Sequence, residues 1–247
     1  MRIIISILVL FVGSFSIAAE ELISVGEGFD KKGEKKVFDY QRFREVKDNK
    51  TLDRAIYKDL DGNVMTEEKM EMVDGKLVRY DMDQLQLKQK AWVEVTEGEI
   101  TFNLKKWRKR NYPQTIKWKD NFIVGLQIVP FIIKHWDHLS KGKEKEIKLG
   151  VWHRQEAITF DLSREKSGGK EMVIKMSPAS MLIRAIVDPI YFHFDKKTKA
   201  LTSYLGRTTP KEKRGKGYYD FDGLVRYKGV AKKSAAPAKK MKSKKGK

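Results

Sequence analysis

The sequence predicts an α+β, mainly β protein: a large curved antiparallel sheet of about ten strands with roughly two or three short covering helices. Three observations lead there. Apolar and polar residues alternate over one stretch after another, the spacing of half-buried strands. Asp-Gly and Glu-Gly pairs fall between those stretches at 61–62, 74–75 and 97–98, and such pairs favour tight hairpins, which make neighbouring strands antiparallel. Helix-start chemistry is confined to two regions, near 120–140 and 177–189.

Taken in order, residues 20–36 read as a charged, glycine-punctuated lead-in. Strands are expected at 37–46 and 52–58, then at 64–73 after the Asp61-Gly62 turn and at 77–83 after Asp74-Gly75. Leu85, Leu87, Gln89, Ala91, Val93 and Val95 alternate as one face of a long strand, and Ile100, Phe102 and Leu104 continue the pattern beyond Glu97-Gly98. Asp120 or Asn121 suits the cap of a helix over 122–129, and Pro130 stands where a second helix over 131–140 can begin, with Gly142 closing it. Strands return at 147–153, 157–162 and 172–176. Ser177-Pro178 reads as the cap and first turn of a helix over 179–187, stopped by Asp188-Pro189. Strands at 190–195, 201–206 and 218–227 complete a single β-rich domain spanning 37–228.

The two ends differ from the body. Arg2, the apolar run 3–15 and the small residues Ser16 to Ala19 have the layout of a secretory signal peptide cut after Ala18 or Ala19. The run is shorter than the ~20 residues of a membrane span, and no later run approaches that length. Cysteine is absent, which excludes a lipid-anchored lipoprotein, structural disulfides and thiolate zinc sites. The expectation is an exported, periplasmic protein without a transmembrane span.

The 247-residue chain carries a net charge of +19, and residues 231–247 alone hold eight lysines and no acid. Residues 229–247 are too poor in apolar side chains to fold, so they read as a disordered basic tail with a capacity for polyanions. Within the body, Lys105, Lys106, Trp107, Arg108, Lys109 and Arg110 set an aromatic ring among five cations. These residues, with Lys239, Lys240, Lys244 and Lys245 of the tail, are the candidate anion-binding groups. In an envelope the fitting polyanions are lipid headgroups and lipopolysaccharide phosphates; export removes the chain from nucleic acid.

Catalytic signatures are sparse. His135 and His138 sit one turn apart with Asp137 between them, a spacing open to a metal, but the His-i,i+4 pattern of metalloprotease helices is missing. No glycine-rich phosphate loop follows a strand, and there is no G-x-S-x-G elbow. Asp59 to Asn63 lacks the ligand spacing of a calcium loop and is explained by a turn. Asp188, Asp195, Asp220 and Asp222 offer carboxylates without a distinguishing pattern. No cofactor is implied.

Between Pro130 and Tyr227 the order of features resembles a group of exported proteobacterial β-rich proteins. The stretches that carry it are His135-Trp136-Asp137-His138-Leu139 with Gly142, Phe160-Asp161-Leu162, residues 183–190, Phe194-Asp195 and Tyr204-Leu205-Gly206-Arg207. The resemblance implies an envelope location and a β-rich fold, and brings no activity. By architecture alone the chain is also similar to the half-barrel lipoprotein carriers of the periplasm. The expected function is a non-enzymatic envelope protein that binds an amphipathic or anionic partner, lipid or lipopolysaccharide, with apolar groups held on the sheet's concave face. Two other classes compete: an exported hydrolase centred on His135, Asp137 and His138, and an envelope scaffold that pairs through a sheet edge.

Overall fold

The computed structural model describes residues 20–229; the expected signal segment and residues 230–247 of the tail, with Lys239, Lys240, Lys244 and Lys245, lie outside the described residues. Seventeen strands are present among them. They are β1 (Glu21–Phe29), β2 (Lys36–Lys47), β3 (Lys50–Lys58), β4 (Val64–Val73), β5 (Lys76–Gln84), β6 (Gln89–Thr96), β7 (Glu99–Lys105), β8 (Gln114–Lys117), β9 (Phe122–Ile123) and β10 (Lys145–Val151). After these come β11 (Glu156–Glu165), β12 (Glu171–Pro178), β13 (Ile190–Asp195), β14 (Leu201–Arg207), β15 (Glu212–Arg214), β16 (Gly217–Tyr219) and β17 (Asp222–Lys228). Fifteen form one sheet in the order β8-β7-β6-β5-β4-β3-β2-β1-β17-β14-β13-β12-β11-β10-β9, and β15-β16 form a separate hairpin. Every pairing in the large sheet is antiparallel except β9 with β10. The predicted mainly β architecture with a large antiparallel sheet is the one observed.

One face of this sheet is buried along its length. Paired positions run Ile174, Phe192, Tyr204, Val225, Gly28, Phe38 across six neighbouring strands, all on that face. Two apolar clusters lie there and meet at Tyr204. The first spans β2 to β7, and the second spans β10 to β13. The sheet curls until its two margins approach: Phe102 of β7 meets Phe122 of β9 edge-on, 6.1 Å between ring centroids. The Gln155 side chain then donates to the Phe102 carbonyl at 3.2 Å. On the other face, charged residues alternate with the buried ones and pair across strands, as Arg79 does with Glu94 and Lys90 with Asp83.

The helices are shorter than expected. Residues 122–129 do not form one helix. Phe122, Ile123 and Val124 are all buried, so the segment lies as a strap inside the curl, pairs briefly with β10, and makes a 3-10 turn at Gly125–Gln127. A short apolar run buried on several sides has no period to separate helix from strand. The next helix is broken at His135 into α1 (Ile128–Lys134) and α2 (Trp136–Ser140), and both pack on the second cluster. The third, α3 (Met181–Arg184), is a single turn that starts after Ser180, because Pro178 ends β12 instead of opening a helix.

Other elements differ from the sequence reading too. Residues 20–36 are not a lead-in: they supply β1, a central strand between β2 and β17. Residues 85–87 form a 3-10 turn, and Lys88 takes a left-handed φ of 52° before β6 begins. The 218–227 stretch divides between β16 and β17.

Candidate anion-binding rim

Antiparallel order sends the connections alternately to two ends of the sheet. Loops 30–35, 59–63, 85–88, 106–113, 152–155, 179–189 and 208–221 all emerge at one end, here called the rim. These loops touch. Lys31 Nζ donates to Asp188 Oδ2 at 2.9 Å, and the Gln86 amide exchanges hydrogen bonds with the Lys211 backbone at 2.8 and 2.9 Å. Gln155 reaches the Tyr112 carbonyl at 2.9 Å, and the Lys88 ammonium lies 5.3 Å from the Trp107 ring centre. The seven loops hold fourteen basic and seven acidic residues.

Lys105 ends β7, and Lys106, Trp107, Arg108, Lys109 and Arg110 form the turn that follows, so the structure brings the six predicted body residues together at the rim. The turn is built by Lys109 N donating to the Lys106 carbonyl at 3.1 Å and by Arg108 at φ 58°. Asn111 holds its base: its Oδ1 accepts from Leu104 N at 2.9 Å and its Nδ2 donates to Asn103 Oδ1 at 2.9 Å. Trp107 is 62% exposed and is flanked by Arg108 as well as Lys88, each a cation over an aromatic ring. Several carboxylates at or beside the rim pair with other cations. Asp220 and Asp222 hold Arg207, Asp220 also takes Lys211, Glu156 takes Arg154, and Glu212 takes Arg214. The five cations of the β7–β8 turn are left facing solvent.

The concave face is occupied by the protein itself. The 122–128 strap is fastened by Arg42, whose Nη2 donates to the Leu126 carbonyl at 3.0 Å. A second strap, 208–211, is fastened by Glu68, which accepts from Thr209 Oγ1 at 3.0 Å, Tyr57 Oη at 2.9 Å and Tyr80 Oη at 2.7 Å. Burial pushes the phenols of Tyr57 and Tyr80 well above their usual range, with the Glu68 charge adding to it. The Gln84 amide secures the same strap through the Thr209 carbonyl at 3.0 Å. Sequence reading did not single out these interior polar groups, because Arg42, Asp53 and Glu68 look like the charged face of alternating strands.

His135, Asp137 and His138 do not assemble a cleft. Trp136 and Leu139 are buried, with the Trp136 ring edge-on to Phe194 at 5.6 Å. His135 lies beside Phe131, and its pKa is lowered by burial and by the charges of Lys145 and Lys134. His138 Nε2 is 2.9 Å from the Glu144 carbonyl. Among the described residues there is no group of three or more His, Asp or Glu able to hold a metal ion. Asp188 and Asp195 serve as a partner for Lys31 and as a turn cap for Thr198. Asp59 accepts from Asn63 N at 2.8 Å, the turn expected there. The sheet margins are short: β8 has four residues and β9 two. No helix among the described residues is long and apolar enough to cross a membrane. No protein-family model, curated protein or solved structure matches the chain.

Proposed function

We propose that this protein is a non-enzymatic envelope component that binds anionic amphiphiles, phospholipid or lipopolysaccharide, through the rim. The single observation that carries the reading is the β7–β8 turn, where Lys105, Lys106, Arg108, Lys109 and Arg110 are exposed with no carboxylate partner among the described residues, in sequence beside an exposed Trp107. A cation cluster attracts phosphates, and an amphipathic indole settles at the depth where headgroups meet acyl chains. The signal-like residues 1–19 and the resemblance to exported proteobacterial proteins support the envelope location. The concave face, filled by its two straps, is no longer the place for the ligand's apolar part; Trp107 and its exposed neighbours take that role. Trp136, packed into the core, and the short sheet margins leave the hydrolase and edge-pairing readings without support of their own.

The test is co-sedimentation with vesicles of mixed phosphatidylglycerol and phosphatidylethanolamine. Each surface lysine or arginine near an anionic membrane contributes about 1 kcal/mol, so replacing Lys106, Arg108 and Lys109 by Glu should weaken binding by about a hundredfold or more at low salt. Binding should also fall as salt rises. A wild-type chain that ignores anionic vesicles at low salt overturns the reading.

A further inference from the structure

Segment 179–189 presents a second surface at the rim. Met181, Leu182 and Ile186 are 81%, 84% and 80% exposed, the three most exposed large apolar side chains among the described residues. The backbone beneath them is nevertheless fixed. Arg184 N donates to the Ser180 carbonyl at 2.9 Å, Ala185 N to Met181 at 3.1 Å, and Val187 N to Ile183 at 3.0 Å. Arg184 Nε reaches back to the Pro178 carbonyl at 3.0 Å, and Asp188 is tied to Lys31 of the β1–β2 loop. An ordered turn that spends its hydrogen bonds internally and points three aliphatic groups at solvent is built for an apolar surrounding.

The other loops at this end of the sheet name that surrounding. Trp107, Tyr112 and Tyr219 are 62%, 68% and 53% exposed on the other rim loops, and basic residues outnumber acidic ones two to one across the rim. Aliphatic tips, aromatic rings and cations gathered on the loops of one end of the sheet match a bilayer interface: hydrocarbon at the centre, rings at headgroup depth, phosphates outside. We propose that Met181, Leu182 and Ile186 form a wedge that inserts into the acyl region of an anionic bilayer, so that the rim penetrates the membrane it contacts. This rests on the lipid-surface reading above and adds to it a non-electrostatic anchor.

The chain has no cysteine, so Leu182→Cys carries the only thiol and can be labelled with an environment-sensitive fluorophore. On vesicles of phosphatidylglycerol and phosphatidylethanolamine the probe should shift to the blue and be quenched by lipids brominated on their acyl chains. In unlabelled protein, Met181→Ser, Leu182→Ser and Ile186→Ser together should lower the binding that survives high salt by about tenfold or more, the scale of three partly buried aliphatic groups. Low-salt capture should remain. Thermal melting of this variant should match the wild type, since the side chains removed are exposed. Low-salt binding with an unshifted, unquenched probe overturns the wedge and leaves the rim's electrostatic role intact. No vesicle binding by the wild type overturns both. A probe shift that appears without vesicles as the chain self-associates in sedimentation assigns the patch to a second copy and overturns the wedge.

Discussion

Asp53 is the residue on which the inner strap depends most. Its side chain is fully buried and meets two cations, Arg42 Nη2 at 2.5 Å and Arg44 Nε at 2.6 Å, while the same Arg42 nitrogen reaches the strap at Leu126. Arg42 Nε is buried and has no partner among the described residues. Asp53→Asn removes the charge that compensates a buried guanidinium and is expected to cost about 3–5 kcal/mol in denaturant unfolding. Burial pushes the Asp53 carboxyl up, but the Arg44 hydrogen bonds and the Arg42 charge outweigh it and hold the pKa below the usual carboxylate range. The folded value therefore lies under the unfolded one of about 3.9, so the stabilisation is complete above it and disappears as pH falls through the folded value. Unfolding measured at pH 7, 5 and 3 should show the wild type losing more stability at the acid end than Asp53→Asn does. Parallel losses in the two proteins would remove Asp53 from the account.

The elements were readable where one face of a strand met water and the other met the core. The hairpins at 61–62, 74–75 and 97–98 connect β3–β4, β4–β5 and β6–β7 as their turn residues demand, and Ala91, Val93, Ile100, Phe102 and Leu104 are buried as alternation requires. β1 was missed for a physical reason. Its core-facing positions include Gly26 and Gly28, which carry no apolar side chain to count, because the space above Gly28 belongs to Phe38. A Cβ on Gly28 would stand 2.3 Å from that ring, and Phe38 is wholly buried. Gly28→Ala should therefore destabilise by about 1–3 kcal/mol through overpacking, although its backbone is ordinary strand. Combining it with Phe38→Leu should cost less than the sum of the two single changes, a coupling a double-mutant cycle reads from melting data. Additive costs would show that the ring moves aside freely. The strap at 122–124 was illegible for the opposite reason: it is apolar on every side, and only the approach of β7 shows what covers it.

At the scale of the whole molecule, charge divides between two places. The rim turn could be named from sequence because six consecutive residues supply it, whereas the wedge could not, since nothing in ASMLIRAIV says that its apolar residues stay outside the core. The lysine-rich tail follows β17, whose last residue, Lys228, lies at the end of the sheet away from the rim. Seven strand residues span about 23 Å, and a chain of eighteen residues after Gly229 can extend at most about 60 Å, so its length suffices to reach the surface that the proposed reading places at the rim. In the proposed reading its eight lysines act at a distance on diffusive approach, while the rim decides how the bound protein sits. Removing 230–247 is therefore expected to weaken binding to anionic vesicles by about tenfold or more at low salt and to flatten its dependence on salt. The fluorescence of a probe at Leu182→Cys in the bound protein should not change, because the wedge belongs to the folded body. If truncation instead lifts the probe out of the acyl region, the tail positions the rim and the two charged regions act as one.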